Sequence, residues 1–508
     1  SPWLNSFLTM IVFRIGEFLL TTVVTRQGKI RGFSEDDVTT FLGIRYGAPP
    51  VGVRRFMAPE LSGGWAGVAS ATSYPNRAMQ SKTLSTLGLP VGGSVAEDCL
   101  FLNLVTPSVK GKLRPVIVWF HGGGFVAGSA NEYDGSVLAR QGDVVVVTVN
   151  SRLGPFGFLD LSYFGSDYIG SASNGLRDQI LALRWIAENI EDYGGDPNNV
   201  TISGQSSGGS CVLSLLACPS ADSFYHKAIA CSPTAVYSAR TNRAEELTER
   251  LNCRPDDCLD VLMDMTAHEI VDLQLGARIA VDGCVVTRST FAAIKERGES
   301  GVPLLTGTTA TEGSYYTRGD PEARDHYPWL NEYLARDMLC GEDPAAYLEA
   351  LCSAYPQASP GKIHEMVWTD MFRRLAITAA ELSAVHGAGG WLYRFDLPVN
   401  LAGSDHVGAP HASDMSFVFN SVAKPSSHAY TFHDTQDSTV QRVGLFWSAM
   451  VLSMARSGTP NKSGMEVPFW PQYDPQDRSC LIIDEEFRIA QDLDSQHFQL
   501  WRQRISHS

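Results

Sequence analysis

Short runs of apolar residues recur along the chain and predict buried strands. The clearest runs lie at residues 116–120 and 144–149, and both are rich in β-branched side chains. Similar runs occur at residues 200–203, 303–308 and 391–395. A strand that is apolar at every position is typical of a parallel sheet that is covered on both faces. The pattern therefore predicts a mostly parallel sheet at the centre of the molecule.

Two segments between these strands have the pattern of helices. Asn174 can cap the start of a helix over residues 175–193, and Gly194 with Gly195 can end it. Residues 207–218 are apolar on nearly every face and predict a buried helix. Strands and helices that alternate along a chain indicate an α/β fold with a parallel sheet. The apolar positions with helical spacing in the first segment are Leu176, Ile180, Leu183, Ile186 and Ile190.

The organisation of the chain favours one enlarged domain. A length of 508 residues would allow two to four domains, but no linker rich in Ser, Gly or Pro divides the chain. We expect residues 25–508 to form a single domain. Residues near 235–300 and 318–388 are more polar and mainly helical in pattern. We expect them to be insertions over the carboxyl edge of the sheet, where α/β proteins bind their ligands.

Residues 1–24 form an N-terminal segment of uncertain role. The apolar run at residues 8–13 is followed at once by Arg14, and Glu17 comes soon after. A signal-peptide core needs about 7–15 uninterrupted apolar residues and a membrane helix needs about 20, so neither fits this segment. We expect a helix or tail that rests on the body of the protein, no membrane span, and a cytoplasmic rather than a secreted location.

Composition and charge narrow the range of partners. The chain has 44% apolar and 19% charged residues, a formal net charge of −15 and no basic stripe, so we expect no nucleic-acid partner. A negative surface tolerates neutral substrates. The ten cysteines show no zinc-site spacing, and we predict no metal and no cofactor. Cys253 and Cys258 could close a small ring, and Cys340 could pair with Cys352.

A sharp turn between a strand and a helix is predicted around Ser206. The sequence Gly204-Gln205-Ser206-Ser207-Gly208 has the pattern G-x-S-x-G, with a predicted strand directly before it and an apolar helix directly after it. In that context the serine has a strained backbone, and the flanking glycines remove side chains that would clash. The turn lifts the hydroxyl clear of the sheet. We therefore predict a nucleophile at Ser206, against the alternative of a solvent-facing serine in a glycine-rich turn.

A run of glycines follows the predicted strand at residues 116–120. His121 is succeeded by Gly122, Gly123 and Gly124, which allow backbone N–H groups to converge on one point. Donors placed in this way stabilise the negative oxygen of a tetrahedral intermediate, typically by a few kcal/mol each. A phosphate-binding turn is the alternative, but no dinucleotide-binding or Walker pattern follows. The run therefore predicts an oxyanion hole.

With these motifs in place, the sequence resembles the type-B carboxylesterase/lipase family, the group that includes the cholinesterases. The match covers about residues 25–473 in many ordered pieces. The resemblance implies an α/β-hydrolase fold with helices on both faces of the sheet, ester hydrolysis without a cofactor, and structural ion pairs Arg55–Glu97 and Arg152–Asp178. Apart from the two glycine motifs, the pieces are residues 43–46, 49–52, 55–56, 97–103, 150–154, 174–179, 189–190, 194–197, 458–461 and 470–471.

The resemblance also implies the remaining site residues. The acid falls at Glu312 and the base at His411, so the order along the chain is serine, acid, histidine, as this fold requires. The oxyanion donors carry over to Gly123, Gly124 and Ser207. Nearby alternatives are His406 for the base and Asp320, Asp405 and Asp414 for the acid.

Several positions depart from the pattern of this family. Gln205 stands where members usually have glutamate, and Leu89 lies near the position of the choline-binding tryptophan of cholinesterases. We therefore predict that neutral short- to medium-chain esters are favoured over choline esters, because an anion and an aromatic face are the groups that bind quaternary ammonium. Cys99 aligns with one half of a family disulfide, but Ala78 stands where its partner would be, so we expect a free thiol.

The predicted mechanism is hydrolysis of a small-molecule ester through an acyl-enzyme. His411 takes the hydroxyl proton of Ser206 during the attack, and Glu312 orients the imidazole and stabilises its charged form. Two further functions stay open. One is an amidase, a carbamate hydrolase or a thioester hydrolase, which needs the same groups. The second is a non-catalytic adhesion protein of the same fold, although such proteins tend to lose the serine or the histidine.

Overall fold

The part of the chain that the structure describes is organised around one sheet of thirteen strands. The computed structural model describes residues 19–81, 92–234, 243–276, 278–317, 331–332, 334–335, 344–401, 407–424, 432–462, 464 and 466–493. The strands are β1 (Leu19–Thr25), β2 (Gly28–Glu35), β3 (Val38–Arg45), β4 (Val68–Ser70), β5 (Phe101–Thr106), β6 (Arg114–Phe120), β7 (Val145–Val149), β8 (Gly195–Gln205), β9 (Lys227–Cys231), β10 (Leu304–Thr309), β11 (Gly390–Phe395), β12 (Cys480–Ile483) and β13 (Arg488–Ala490).

Helices of the described residues pack on both faces of this sheet. They are α1 (Ser136–Gly142), α2 (Gly154–Phe158), α3 (Asn174–Asn189), α4 (Ser207–Leu215), α5 (Arg243–Leu251), α6 (Cys258–Asp264), α7 (Ala267–Asp272), α8 (Thr290–Arg297), α9 (Ser314–Thr317), α10 (Pro344–Ala354), α11 (Pro360–His386), α12 (Met415–Val418) and α13 (Ser438–Ser457). Helices α3, α4 and α8 contribute to one core cluster, and α1 and α13 contribute to the cluster on the opposite face.

The sheet is parallel in its centre and antiparallel at its edges. The strand order is β1-β2-β3-β5-β7-β6-β8-β9-β10-β11-β12-β13, with β4 paired to β2. Every neighbouring pair from β7 to β12 along this order is parallel. The pairs among β1, β2, β3, β5 and β7, and the pair β12–β13, are antiparallel. The predicted mostly parallel sheet is therefore confirmed.

The central strand β6 is apolar from Val116 to Phe120 because both of its faces are buried. In β6, Val116 and Val118 belong to the core cluster on one face, and Ile117 and Trp119 belong to the cluster on the other. All four side chains are at most 2% exposed. Successive side chains of a strand point to opposite faces, so apolar side chains are favoured on both faces of a strand that lies between two helical layers.

The edge strand β1 begins within residues 1–24, the segment to which the sequence assigns no certain role. Residues 19–24, which the sequence assigns to the segment 1–24, form most of β1 and pair with β2 along its length. Only Val23 and Thr25 of this strand are buried, so it lacks the continuous apolar run of the central strands. Residues 1–18 lie outside the described part of the chain. None of the helices described is long and apolar enough to cross a membrane.

Helix α3 follows the predicted segment but begins differently. Its N-cap residue is Ser173, which makes no side-chain capping bond, and the helix ends in a 3-10 turn at Ile190–Tyr193. The side chain of Asn174, which we expected to cap the helix, donates to the carbonyl of Phe56 at 2.6 Å instead. Asn174 is fully buried, so its amide serves a tertiary contact rather than the local helix end.

Both ranges that we expected to be insertions carry helices, and part of the second packs on the sheet. Residues 243–297 contain α5 to α8, and residues 344–386 contain α10 and α11. Helix α11 is 27 residues long. Its later turns pack on the sheet, where Ala376 and Ala380 share a core cluster with Leu392 of β11. This part of the range 318–388 therefore belongs to a layer that covers the sheet.

Both ion pairs implied by the resemblance are present. The guanidinium of Arg152 donates to Asp178 at 2.7 and 2.9 Å, and both side chains are buried. Arg55 contacts Glu97 at 2.6 Å and also donates to the carbonyl of Met265 at 2.9 Å, beyond the end of α6. Breaking a buried pair by removal of one partner typically costs about 3–5 kcal/mol. We therefore assign both ion pairs a structural role.

The cysteines that the structure describes are free thiols. The sulfur atoms of Cys253 and Cys258 lie 3.0 Å apart, in hydrogen-bond contact and without a disulfide between them. Cys352 is exposed, and Cys340, its suggested partner, lies outside the described residues. Cys99 is 1% exposed in the same core cluster as Ala78.

Cys99 should react with alkylating reagents only after the protein unfolds. Its side chain is buried, and burial raises the pKa of the thiol, which suppresses the reactive thiolate. We expect iodoacetamide to label the exposed Cys284 in the native protein and to label Cys99 only in denaturant without a reducing agent. Peptide mass spectrometry measures both sites in one digest. A cross-linked peptide containing Cys99 would contradict this expectation.

Candidate active site

Ser206 occupies a strained turn between β8 and α4. Its backbone angles are φ 56° and ψ −127°, a conformation that side-chain-bearing residues rarely adopt. The Ser206 N–H donates to the carbonyl of Cys231 in β9 at 2.9 Å, which holds the turn against the sheet. A β-carbon on Gly204 would lie 2.5 Å from the backbone of Gly208. The glycines are therefore required by close approach of the backbone, as the pattern predicts.

A buried carboxylate and an imidazole meet beside this turn. His411 Nδ1 donates to Glu312 Oε2 at 2.5 Å, and the Glu312 side chain is fully buried. The other carboxylate oxygen, Oε1, accepts from the Ser232 hydroxyl at 2.6 Å and from the Thr309 N–H at 2.8 Å. Both oxygens of the carboxylate are thus engaged, and its orientation toward the imidazole is fixed.

Backbone contacts tie together the two loops that carry this pair. Glu312 follows β10, and His411 lies in the connection after β11. The His411 N–H donates to the Glu312 carbonyl at 3.4 Å, and the Thr311 N–H donates to the Ala409 carbonyl at 3.0 Å. The imidazole and the carboxylate are therefore held near the carboxyl ends of parallel strands, where α/β proteins gather their ligand-binding groups.

The second nitrogen of the imidazole faces the residue before the serine. Gln205 Nε2 lies 3.1 Å from His411 Nε2, and both side chains are buried. With its Nδ1 proton donated to Glu312, a neutral imidazole presents a lone pair at Nε2, and only an N–H donor can pair with it. The Ser206 hydroxyl makes no hydrogen bond to any residue that the structure describes. The Gln205 amide, rather than the Ser206 hydroxyl, is therefore the hydrogen-bond partner of His411 Nε2.

The glycine run after β6 lies against Ser206. A β-carbon on Gly122 would be 3.2 Å from the Ser206 β-carbon. Gly123 and Gly124 have φ of 114° and 65°, and a β-carbon on Gly123 would collide with the carbonyl oxygen of Ala127. Among the described residues, no acceptor takes a hydrogen bond from the Gly123 or Gly124 N–H. These donors can therefore serve a bound anion.

Aromatic rings form one wall of the site around the imidazole. The Phe372 ring centroid is 4.5 Å from that of His411, and the Tyr315 and Tyr316 centroids are 5.8 and 6.1 Å away. Tyr316 stacks on Trp368 with centroids 3.8 Å apart. Burial and the charge of Glu312 raise the pKa of Tyr316, which keeps its phenol neutral. This wall is apolar and without charge.

Asp414, the acid closest to His411 along the chain, makes a different contact. Its Oδ2 accepts from the Tyr393 hydroxyl at 2.8 Å, and the side chain is fully buried. Burial raises the pKa of Asp414 to about 6, although the Tyr393 hydroxyl opposes the shift. The three remaining candidates for base or acid, His406, Asp320 and Asp405, lie outside the described residues.

Two contributors to the site were missed by the sequence patterns. Ser232 orients Glu312, and the contact between Gln205 and the imidazole involves a side chain that we treated only as a missing anion. Ser232 directly follows the apolar strand β9. A polar residue at that position lies at the carboxyl edge of the sheet, and this is the signal that would have revealed it.

No metal site emerges from the described residues, which contain no cluster of three His, Cys, Asp or Glu side chains suited to an ion. The polar groups at the site are a hydroxyl, an imidazole, a carboxylate, a carboxamide and backbone N–H groups. This donor set is suited to nucleophilic attack on a carbonyl and to stabilisation of the resulting oxyanion.

Comparisons with known proteins agree with this geometry. The model of the carboxylesterase family matches residues 20–501. A para-nitrobenzyl esterase of Bacillus subtilis is 35% identical, with 94% of this chain and 97% of that protein covered. A medium-chain fatty acyl-CoA hydrolase precursor of Anas platyrhynchos is 30% identical, with 95% and 92% covered.

A solved carboxylesterase of Geobacillus stearothermophilus has a TM-score of 0.81 at 31% identity, with 95% of this chain and 100% of that chain covered. The likeness confirms the α/β-hydrolase fold that the motifs implied. The family match spans the sheet and the segments that carry the serine turn, the glycine run and the imidazole–carboxylate pair. The chain therefore belongs to the carboxylesterase family and is a serine hydrolase of small carboxylic esters.

Proposed function

We propose that Ser206, His411 and Glu312 are the catalytic triad of this esterase. His411 removes the hydroxyl proton of Ser206 as the oxygen attacks the ester carbonyl, and the same proton then passes to the leaving alcohol. Water, activated by His411, attacks the resulting acyl-enzyme and releases the acid. Glu312 holds the imidazole with Nδ1 protonated and stabilises the imidazolium that forms in each half-reaction.

The observation that carries this assignment is the 2.5 Å bond between His411 and Glu312 beside the strained turn of Ser206. A general base needs a third group that fixes its tautomer, and a fully buried carboxylate with both oxygens engaged is suited to that role. The alternative acid Asp414 is engaged by Tyr393 instead.

The oxyanion hole of the proposed mechanism consists of the N–H groups of Gly123, Gly124 and Ser207. The first two are not used by the described residues, and that of Ser207 belongs to the first turn of α4, where N–H groups have no partner within the helix. Loss of one such donor typically costs about 2.7–4 kcal/mol of transition-state stabilisation. The positive end of the helix dipole adds to the same effect.

A labelling experiment tests the nucleophile and separates an enzyme from a non-catalytic protein of the same fold. A fluorophosphonate probe should form one adduct, located on the peptide that contains Ser206 by mass spectrometry. A non-catalytic adhesion protein would not react. Paired substrates with the same acyl group, as p-nitrophenyl esters, p-nitroanilides and carbamates, then compare the bond types. We expect the esters of short to medium acyl length to have the highest kcat/KM.

Choline esters should not be preferred by this enzyme. Gln205 next to the base is a neutral amide and supplies no anion for a quaternary ammonium group. Leu89, the other residue behind this prediction, lies outside the described residues. The test compares butyrylcholine with its neutral isostere, in which a tert-butyl group replaces trimethylammonium, by titration of the released acid. A kcat/KM for butyrylcholine more than about fivefold above that of the isostere would contradict the prediction.

A further inference from the structure

The resting contact between Gln205 and His411 has a chemical consequence for the base. Nε2 of the imidazole is the atom that must accept the serine proton, yet the Gln205 amide is its neighbour at 3.1 Å. An amide N–H that donates to this lone pair stabilises the neutral imidazole and fixes the plane of its ring. Before the serine proton can transfer, that donor must withdraw from Nε2.

Gln205 also bridges the base and the oxyanion loop. A β-carbon on Gly122 would lie 2.9 Å from Gln205 Oε1, so the carbonyl end of the amide faces the glycine run. The Gln205 side chain is 3% exposed. The buried amide therefore lies between the imidazole and the glycine run. Its NH₂ group faces His411, and its carbonyl oxygen faces Gly122.

Several strands, helices and loops place charged or titratable groups near the imidazole of His411. The turn after β10 contributes the carboxylate of Glu312 at 2.5 Å. The imidazole's own segment contributes Asp414. Helix α11 places the uncharged ring of Phe372 against the imidazole, and the guanidinium of the next residue, Arg373, donates to the Thr309 carbonyl at 2.8 Å. The phenols of Tyr315 and Tyr316 lie across the ring. From β8 the imidazole meets the neutral amide of Gln205.

We propose that Gln205 is a positioning residue that holds His411 as a neutral base and thereby sets the acid limb of the pH–rate profile. The amide donates to Nε2 in the free enzyme and gains no proton during turnover. The serine proton passes to Nε2 and then to the leaving oxygen, and Gln205 takes no part in that transfer. A carboxylate at this position would instead favour the imidazolium, which cannot accept the serine proton. This inference rests on the proposed role of His411 as the base.

The variant Gln205→Glu tests this role through the pH dependence of kcat/KM for p-nitrophenyl butyrate. A carboxylate close to an imidazole usually favours the protonated ring by about 1–3 pH units. We expect the acid limb to move to higher pH by about one unit, with activity recovered on the alkaline side. Gln476→Glu, at an exposed position, makes the same change in net charge and should leave the limb where it is.

The variant Gln205→Met keeps the length of the side chain without its hydrogen bonds or a charge. Because the ring loses the donor that orients it and stabilises its neutral form, we expect kcat to fall by at least about fivefold with KM nearly unchanged. The acid limb should also move to higher pH, by less than in Gln205→Glu. If Gln205→Glu does not fold, the kcat of Gln205→Met alone tests whether Gln205 positions His411. An unmoved acid limb in Gln205→Glu, or an unchanged kcat in Gln205→Met, would overturn the inference. Fluorophosphonate labelling of wild-type Ser206 separates that result from a failure of the proposed function, since only the latter abolishes labelling.

Discussion

Replacement of Ser206 with alanine should abolish ester turnover and leave the protein folded. The hydroxyl is the group that forms the acyl-enzyme, and removal of a triad nucleophile leaves only binding and oxyanion effects. The expected loss in kcat is roughly 10⁴- to 10⁶-fold. The fold should survive because alanine keeps the β-carbon in the strained turn, and the hydroxyl makes no hydrogen bond to the described residues that its loss would break.

The matched control for this experiment is Ser214→Ala in the same helix. Ser214 is buried, and its hydroxyl has no hydrogen-bond partner among the described residues, so its removal should change neither activity nor stability appreciably. Turnover of p-nitrophenyl butyrate and thermal unfolding are measured for both variants. A Ser206→Ala protein that retains more than a few per cent of wild-type activity after careful purification would refute the assignment of the nucleophile.

The central fold could be predicted from the sequence because its physical demands are local. Strand β6 is apolar from Val116 to Phe120 because both faces are buried there, and the serine turn needs glycines where Gly204 and Gly208 approach each other. Strand β1 escaped prediction because only two of its residues are buried. An exposed edge strand is held by backbone hydrogen bonds to its neighbour. Those bonds do not require a particular pattern of apolar and polar side chains, so the sequence does not reveal them.

The site was predicted less completely because its contacts join residues that are distant in the sequence. Nothing in the local pattern pairs Glu312 with His411, and the family resemblance supplied that expectation. The contact between Gln205 and the imidazole depends on where the loop after β11 is placed. Asn174 shows the same limit, since its side chain bonds to Phe56 across the core instead of capping the helix that follows it.

Replacement of Glu312 with glutamine should cost most of the activity without loss of the fold. The amide oxygen can still accept from the Ser232 hydroxyl and the Thr309 N–H. The amide NH₂ group would then face His411 Nδ1, which can pair with it only as an acceptor. The imidazole would carry its proton on Nε2 and could not take the serine proton. Loss of the carboxylate in this role has cost about 10⁴-fold in kcat in another enzyme of this type.

The decisive comparison is with Asp414→Asn. Asp414 lies three residues after His411 and is as deeply buried as Glu312, so burial alone does not distinguish the two acids. Their contacts do, because Asp414 accepts from Tyr393 and Glu312 accepts from His411. The amide oxygen of asparagine can keep the bond to Tyr393, and we expect kcat within about fivefold of wild type. Asp320→Asn and Asp405→Asn should also stay near wild type.

The comparison is informative because each variant replaces a buried carboxylate near the same imidazole with a neutral amide. If a carboxylate stabilised the imidazolium only through long-range electrostatic attraction, both variants would lose activity to a similar degree. If it acts through the hydrogen bond to Nδ1, Glu312→Gln loses activity and Asp414→Asn does not. We expect the second pattern in kcat for p-nitrophenyl butyrate, with circular dichroism and thermal unfolding as checks on the fold. A crippled Asp414→Asn beside an active Glu312→Gln would transfer the role of the acid to Asp414.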